Sequence, residues 1–144
     1  PDYMDINLDF QLGHRARDEL ISLAKSHRVK VICSFHDYDK TPPESMMLSK
    51  ISQMKKIGAD IGKIAVEAHS IEDCKLVLDL IPRSAQTGFQ LIAFSTGELG
   101  SFTRLLGPIY GSFLTYAPIS PDRCSVGQIP LEAMVSIYKK LNLL

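Results

Sequence analysis

Residues 61–66 of the chain read Ile-Gly-Lys-Ile-Ala-Val, a strand-length run in which Lys63 is the one charged side chain. A second apolar run occupies residues 29–35, and an amphipathic segment of helical length follows each run. Strands that are apolar almost throughout are typical of parallel sheets whose faces are both covered. The alternation of such strands with helices predicts an α/β fold assembled from βα units.

The same alternation extends over the whole chain. About 31 residues separate Val29 from Asp60, and about 29 separate Asp60 from Phe89. Each interval has the length of one strand with its crossover helix. We predict five strands, at residues 3–8, 29–35, 60–66, 89–95 and 113–117, in one domain without an internal linker.

Four helices are predicted where apolar residues recur at helical spacing. Ser70 is a predicted N-cap, because its hydroxyl can accept a backbone N–H of the first helical turn. Pro130 is predicted to open the last helix at a first-turn position. The predicted helices are residues 15–26, 45–57, 71–80 and 131–141.

The composition excludes several classes of protein. The 144 residues include 16 basic and 16 acidic residues and are 45% hydrophobic, which is typical of a globular domain and not of a disordered or fibrous chain. A neutral balance also argues against a dedicated nucleic-acid binder. Apolar runs such as residues 91–94 are far shorter than the ~20 residues that span a bilayer, and we expect no membrane partner.

The three cysteines, Cys33, Cys74 and Cys124, lack metal-ligand spacing, and their number is odd. We expect free thiols in a reducing compartment, and no signal peptide is apparent. The predicted location is therefore the cytoplasm.

Both a doubly wound sheet and a closed barrel fit the alternation of strands and helices. A dinucleotide-binding sheet would need a Gly-x-Gly-x-x-Gly motif after its first strand, which is not found there, and the lone Gly-x-x-Gly at residues 97–100 is weak support for phosphate binding. Reactive side chains instead collect toward the carboxyl ends of the strands, with His36 and Asp37 after the second strand, Lys63 within the third and Arg104 after the fourth. Because barrel enzymes carry their chemistry at the carboxyl ends of the strands, this placement favours a barrel.

Lys63 and His36 are the candidate catalytic pair. A buried lysine loses part of its preference for the charged form, and the neutral amine can attack a carbonyl. A histidine at a strand end can transfer protons near neutral pH. They are 27 residues apart, about one βα unit, which predicts equivalent heights on neighbouring strands. The alternatives remain open at this point: Lys63 can be a strand-edge lysine that reaches solvent, and His36 an ordinary polar cap.

Five ordered motifs carry a resemblance to a known family. They are residues 34–38 with 41–42, 58–65, 97–107, 110–116 and 127–129. From Asp5 to about Leu141 the chain resembles the type I 3-dehydroquinate dehydratases, the Schiff-base lyases of the shikimate pathway, which serves aromatic amino acid biosynthesis. The resemblance implies that 3-dehydroquinate is converted to 3-dehydroshikimate and water, with no metal or organic cofactor.

The resemblance also implies a fold and an assembly. The expected fold is a (β/α)8 TIM barrel, of which residues 1–144 form the C-terminal part of a single domain, about the last five βα units. In the family, the first three strands carry acidic and arginine residues that bind the substrate's hydroxyls. A homodimer is expected, and some relatives are fused to shikimate dehydrogenase.

Each site residue is assigned by its match to a family motif. Lys63 matches the lysine that forms the imine, and His36 matches the histidine that moves the protons. Arg104 matches the arginine that pairs with the substrate carboxylate, for which a planar guanidinium is well suited. Gln128 matches a glutamine that binds substrate from a closing loop, here residues 118–128. The remaining assignments are Cys124 and Ser125 as substrate-binding residues of that loop, and Asp5, Ser34 and Tyr110 as supporting residues, Asp5 near His36.

Four positions depart from the family's pattern. Cys124 and Val126 stand where the family usually has serine and proline, and Thr96 stands where it usually has methionine. Asn7 stands where a glutamate is usual. These departures affect the fit of the substrate and not the Lys63 and His36 pair.

Two other functions are compatible with the sequence. Another Schiff-base barrel enzyme, such as an aldolase, would share Lys63 but should bind phosphate on glycine loops after its late strands. A catalytically deficient barrel fragment would act only in assembly, and supplying the first three strands would not make it active.

Overall fold

The protein, described here from a computed structural model, forms one parallel sheet with helices against it. The structure describes residues 1–9, 13–120 and 126–143. The strands are β1 (Tyr3–Asn7), β2 (Lys30–Asp37), β3 (Ile61–Glu67) and β4 (Gln90–Thr96). The helices are α1 (His14–Ser26), α2 (Glu44–Lys56), α3 (Ile71–Gln86), α4 (Gly97–Gly100), α5 (Thr103–Ile109) and α6 (Leu131–Lys140).

The strands lie in the order in which they occur in the chain, β1-β2-β3-β4, and each pair of neighbours is parallel. A doubly wound sheet would reverse its order at a switch point, and the described sheet has no such reversal. Side chains from α1, α2, α3 and α5 all pack on the same face of the sheet. This sequential, one-sided arrangement is like that of a TIM barrel.

The predicted fifth strand at residues 113–117 is wrong. The segment forms no regular strand, and one backbone hydrogen bond, from Phe113 N–H to the carbonyl of Leu91 at 3.0 Å, joins it to β4. Its apolar side chains Phe113, Leu114 and Tyr116 instead cover the sheet face opposite α1, α2, α3 and α5. The apolar pattern therefore reflects burial of this segment and not strand pairing.

The four predicted helices are confirmed with small shifts of their ends, except that α3 continues past Pro82 to Gln86. The predicted cap at Ser70 is confirmed. Its hydroxyl accepts the Asp73 N–H at 3.1 Å, and the Asp73 carboxylate accepts the Ser70 N–H at 2.9 Å. This reciprocal capping box satisfies two backbone donors that the helix itself cannot pair. The short helices α4 and α5 were not predicted.

The main core lies between the sheet and the helices. Met47 and Met54 from α2 and Leu80 from α3 are fully buried against Ile64 and Val66 of β3. Burial of this apolar area is the main term that holds the helices on the sheet. In the described ranges, no helix has the length and apolar character needed to cross a membrane.

Two of the three cysteines are buried, as predicted for free thiols. Cys33 lies on β2 and Cys74 on α3, and neither forms a disulfide. Burial raises the pKa of the Cys33 thiol to about 12. Because the thiolate is the reactive form, Cys33 is a packing residue. Cys124 lies outside the described residues.

Candidate active site

The sheet face opposite the helices carries the polar side chains. Alternation along β3 places Lys63, Ala65 and Glu67 on this face, because successive side chains of a strand point to opposite sides. Around Lys63 the same face is apolar, with Ile61 and Ile92 both buried. The fold therefore puts a charged amine on an otherwise largely apolar surface.

Lys63 is held by an ion pair with Asp5. Its Nζ lies 2.8 Å from Asp5 Oδ2, and its side chain is 13% exposed against 37% for that of Asp5. The ammonium also lies 5.0 Å from the centre of the Tyr116 ring, a cation–π distance. The structure thus joins Asp5 to Lys63 itself, and the Asp5 charge also acts on His36, near which the sequence analysis placed it.

His36 is on the neighbouring strand and the same face, but not at the height expected from the sequence. Lys63 pairs with Ser34, and His36 pairs with Ala65, so His36 lies two residues farther toward the carboxyl end of the sheet. The expectation of equal heights is wrong, because the register in which β2 and β3 pair differs by two residues from the 27-residue interval between His36 and Lys63. A two-residue displacement preserves the face, and both side chains still line one cleft.

Three features of the surroundings shift the pKa of His36. Burial lowers the pKa of the imidazole, the Lys63 charge lowers that pKa further, and the Asp5 carboxylate acts in the opposite direction. The Tyr38 ring stacks on the imidazole with 5.6 Å between ring centres. A lowered pKa keeps the imidazole neutral near pH 7, which is the form that accepts a proton.

Arg104 is almost completely buried at 5% exposure, at the start of α5. Its guanidinium lies over the Phe94 ring at 4.0 Å from the ring centre. Among the residues that the structure describes, none accepts a hydrogen bond from Arg104 Nε. A buried, unpaired donor is costly, and an anionic ligand in the cleft would supply the missing acceptor.

Residues 126–128 lie against the backbone of Gly97 and form one wall of the cleft, the wall above Gly97. A Cβ atom on Gly127 would overlap the carbonyl of Gly97, and both glycines have positive φ, +76° and +79°. The two backbones therefore touch directly, which brings Val126 and Gln128 to the cleft. The predicted loop residues Cys124 and Ser125 lie outside the described residues.

The other two predicted supporting residues lie in different places. Ser34 is buried and directly beside Lys63 in the register of β2 and β3. Tyr110 follows α5, is 40% exposed and does not line the cleft. Tyr116, from the same 110–116 motif, does line the cleft. Burial raises the pKa of its phenol and keeps it protonated.

Together these side chains enclose a cleft of about 590 Å³, within the usual size of a small-molecule site. Sequence reasoning missed Glu67, although its alternation with Lys63 on a strand was a usable signal. In the described ranges, no group of three or more His, Cys, Asp and Glu side chains is placed to hold a metal ion. The residues that line the cleft are His36, Tyr38, Lys63, Ala65, Glu67, Phe94, Thr96, Gly97, Arg104, Tyr116, Val126 and Gln128.

Solved structures share this fold. The type I 3-dehydroquinate dehydratase from Clostridium difficile, solved with covalently modified comenic acid, matches 97% of this chain with a TM-score of 0.87 and 31% identity. The 3-dehydroquinate dehydratase from Geobacillus kaustophilus matches 98% of it with the same TM-score and 30% identity. This chain covers 55% and 54% of those two chains.

The sequence comparisons agree with the structural ones. The 3-dehydroquinate dehydratase of Methanosarcina acetivorans is 37% identical over 99% of this chain, and that of Alkaliphilus oremlandii is 38% identical over 94%. The chain spans 58% and 54% of the length of these curated relatives. The family model described as type I 3-dehydroquinase matches residues 1–144. A match over this whole length shows that the chain belongs to the type I 3-dehydroquinase family.

Proposed function

We propose that the cleft is the Schiff-base site of a 3-dehydroquinate dehydratase, a hydro-lyase of the shikimate pathway. One observation carries the proposal: Lys63 lies in the same cleft as His36 and a buried arginine whose Nε has no acceptor in the described structure. The reaction of a ketone that bears a carboxylate needs three groups from the protein: an amine, a proton carrier and a cation that binds the carboxylate.

Lys63 supplies the nucleophile. Its neutral amine adds to the ketone carbon of 3-dehydroquinate, and loss of water from the adduct leaves an iminium ion. Asp5, at 2.8 Å from Lys63 Nζ, is a positioning residue that holds the amine in the cleft. The iminium withdraws electrons from the neighbouring carbon and makes its C–H bond acidic.

His36 moves the protons in the proposal. Its neutral imidazole removes the proton next to the iminium and leaves an enamine. The imidazolium then protonates the hydroxyl on the next carbon, which leaves as water as the double bond forms. Hydrolysis of the new iminium gives 3-dehydroshikimate and returns Lys63 as the amine. The low pKa of His36 favours the first of these transfers.

Arg104 orients the substrate by pairing with its carboxylate. The unpaired Nε and the fixed position over Phe94 favour binding of a planar anion through two parallel hydrogen bonds. Gln128 adds a contact from the wall above Gly97, with Cys124 and Ser125 as proposed partners on the same loop. Ser34 supports Lys63 from the neighbouring strand.

We infer that residues 1–144 form the C-terminal part of a (β/α)8 barrel domain, about its last five βα units. Four regular strands support four units, and residues 113–117 followed by α6 have the order of a fifth. A homodimer, a cytoplasmic location, and fusion to or association with shikimate dehydrogenase are proposed on the family resemblance.

Borohydride reduction in the presence of 3-dehydroquinate tests the proposal. We expect a substrate-sized adduct on Lys63 in the wild-type chain, located by intact mass and peptide mapping, and no adduct in Lys63→Ala. Lys75→Ala, on the exposed face of α3, is the matched control and should label like wild type. A wild-type chain that gains an adduct only when the family's first three strands are supplied would indicate that those strands complete the pocket. No adduct in either form would overturn the proposal.

A further inference from the structure

Glu67 is a carboxylate in the cleft that the proposed reaction leaves without a role. It is the last residue of β3 and lies on the same face as Lys63, four residues closer to the carboxyl end of the sheet. That interval corresponds to about 13 Å of strand. Glu67 is therefore at the mouth of the cleft that holds Lys63.

The position of the Glu67 side chain is fixed by three neighbours. Thr96, its register partner on β4, donates its hydroxyl to Glu67 Oε2. Gly97 leaves the space that Oε1 occupies, since a Cβ atom there would overlap this oxygen. Thr41 donates its hydroxyl to the Glu67 carbonyl at 2.7 Å and so fixes the backbone. Groups held in this way can bind a ligand without a large cost in side-chain entropy.

The Glu67 carboxylate has acceptor capacity beyond the bond from Thr96. An ionised carboxylate offers about four acceptor positions, and it carries no proton to donate. It can therefore bind a hydroxyl or an amine of a ligand, but it repels a second carboxylate. Arg104, which also lines the cleft, has the opposite preference.

We propose that Glu67 is a specificity-determining residue whose carboxylate accepts a hydrogen bond from a ring hydroxyl of the ketone that Lys63 captures. This inference rests on the proposed Schiff-base function. Arg104 and Glu67 together orient the ring, because its carboxylate pairs with the guanidinium and is repelled by the Glu67 carboxylate, which can accept from a ring hydroxyl. Thr96 is the positioning residue that holds Glu67 in place.

A comparison of two ketones distinguishes binding of a ring hydroxyl by Glu67 from a purely structural role of this residue. 3-Dehydroquinate carries ring hydroxyls, whereas 3-oxocyclohexane-1-carboxylate keeps the ketone and the carboxylate and lacks the hydroxyls. The measured quantity is the rate at which each ketone, below saturation, is trapped on Lys63 by borohydride. A site that binds a substrate hydroxyl disfavours an analogue without it, since its own acceptor is left unpaired.

We expect Glu67→Ala to slow trapping of 3-dehydroquinate by about tenfold to a hundredfold, the usual effect of losing a hydrogen bond to a charged group. Trapping of the hydroxyl-free ketone should change by less than about threefold. Glu67→Gln, which keeps an acceptor oxygen and the side-chain shape, should lie in between, and Thr96→Val should show a smaller loss of the same kind. Glu98→Gln is the control, because Glu98 is exposed and does not line the cleft.

Other results would overturn the inference, each in a distinguishable way. Equal losses with both ketones would make Glu67 a structural residue, and unchanged trapping of 3-dehydroquinate in both Glu67 variants would show that no hydroxyl binds there. If neither ketone labels Lys63 in the wild-type chain, either alone or with the family's first three strands supplied, the Schiff-base function fails and the role of Glu67 fails with it.

Discussion

At the scale of single residues, the ion pair of Lys63 with Asp5 fixes the position of the reacting amine. The Asp5 carboxylate lies 2.8 Å from Lys63 Nζ and holds it in the cleft. The form of an amine that attacks a ketone is the neutral one. His36 lines the same cleft, and its lowered pKa favours the neutral imidazole, which is the form that accepts a proton.

The dependence of the His36 pKa on Lys63 gives a direct prediction. Lys63→Met removes the neighbouring positive charge but keeps a side chain of similar length, and the pKa of His36 should therefore rise relative to wild type. NMR titration of the imidazole resonances measures it, with His36→Gln to assign the signal. Lys75→Met should leave the His36 pKa unchanged. An unchanged value in Lys63→Met would mean that the two side chains do not share one cleft in solution.

The same lowered pKa has a consequence for stability. The unfolded chain takes up the His36 proton at a higher pH than the folded chain, so the contribution of His36 to the free energy of unfolding falls as the pH falls through the ordinary histidine pKa. The same contribution is fully present above that value.

Lys63 could be singled out because a charged side chain is unusual in an apolar strand, and His36 because it lies about one βα unit before Lys63. The role of Arg104 was predicted from the family resemblance. Glu67 was missed because a glutamate at the end of a strand is ordinary: its alternation with Lys63 indicates the face, but the bond from Thr96 that holds its carboxylate depends on the register of β3 and β4. The register itself is a property of neighbouring strands. This is also why the relative height of His36 and Lys63 was wrong.

At the scale of elements, the capping box of α3 should make a measurable contribution to stability. Ser70→Ala removes the acceptor for the Asp73 N–H and is expected to lower the free energy of unfolding by about 1 kcal/mol. Urea denaturation measures this change. Ser52→Ala, at an exposed position inside α2, should change stability by less than about 0.5 kcal/mol. A Ser70 variant as stable as wild type would indicate that water replaces the cap without cost.

The regular elements could be predicted because hydrophobic periodicity is a local signal. The helices α4 and α5 were missed because Gly97, Gly100 and Pro108 oppose helix formation, and contacts with β4 and α3 override that preference. Residues 113–117 were assigned as a strand because a segment buried on the open face has the same apolar pattern as a paired one.

At the scale of the whole molecule, the two faces of the sheet have different roles. The face toward the helices holds the main apolar core, whereas the face toward the cleft combines a smaller buried apolar cluster with the charged side chains. Substitutions on the first face should therefore affect stability, and many of those on the second should affect ligand binding. The sequence could predict the helical face from its periodicity. The covering of the other face by residues 113–116 depends on long-range contacts that no local pattern encodes.

Substitutions of Ile64 test whether the face of the sheet toward the helices determines stability. It is fully buried on β3 toward the helices, and Ile64→Ala should lower the free energy of unfolding by about 2–5 kcal/mol, through lost burial and the cavity that remains. Ile64→Val should cost about 0.5–1.5 kcal/mol, which keeps the effect measurable if the alanine variant does not fold. Denaturant unfolding followed by circular dichroism gives both values. Leu23→Ala, at a residue that is 56% exposed, is the control with little change, and a similar loss there would contradict the assignment of the core.

The contact between Gly127 and Gly97 also limits how this family member can change over evolutionary time. An ion pair such as Glu44 with Arg83 can be inverted by exchanging its two partners, so that a second substitution repairs the first. No such repair exists for Gly127, because the atom it touches is the backbone carbonyl of residue 97, which every amino acid carries. The backbone contact that brings Gln128 to the cleft thus depends on the absence of a side chain at Gly127. If a substitution at Gly127 breaks this contact, no substitution at residue 97 can restore it.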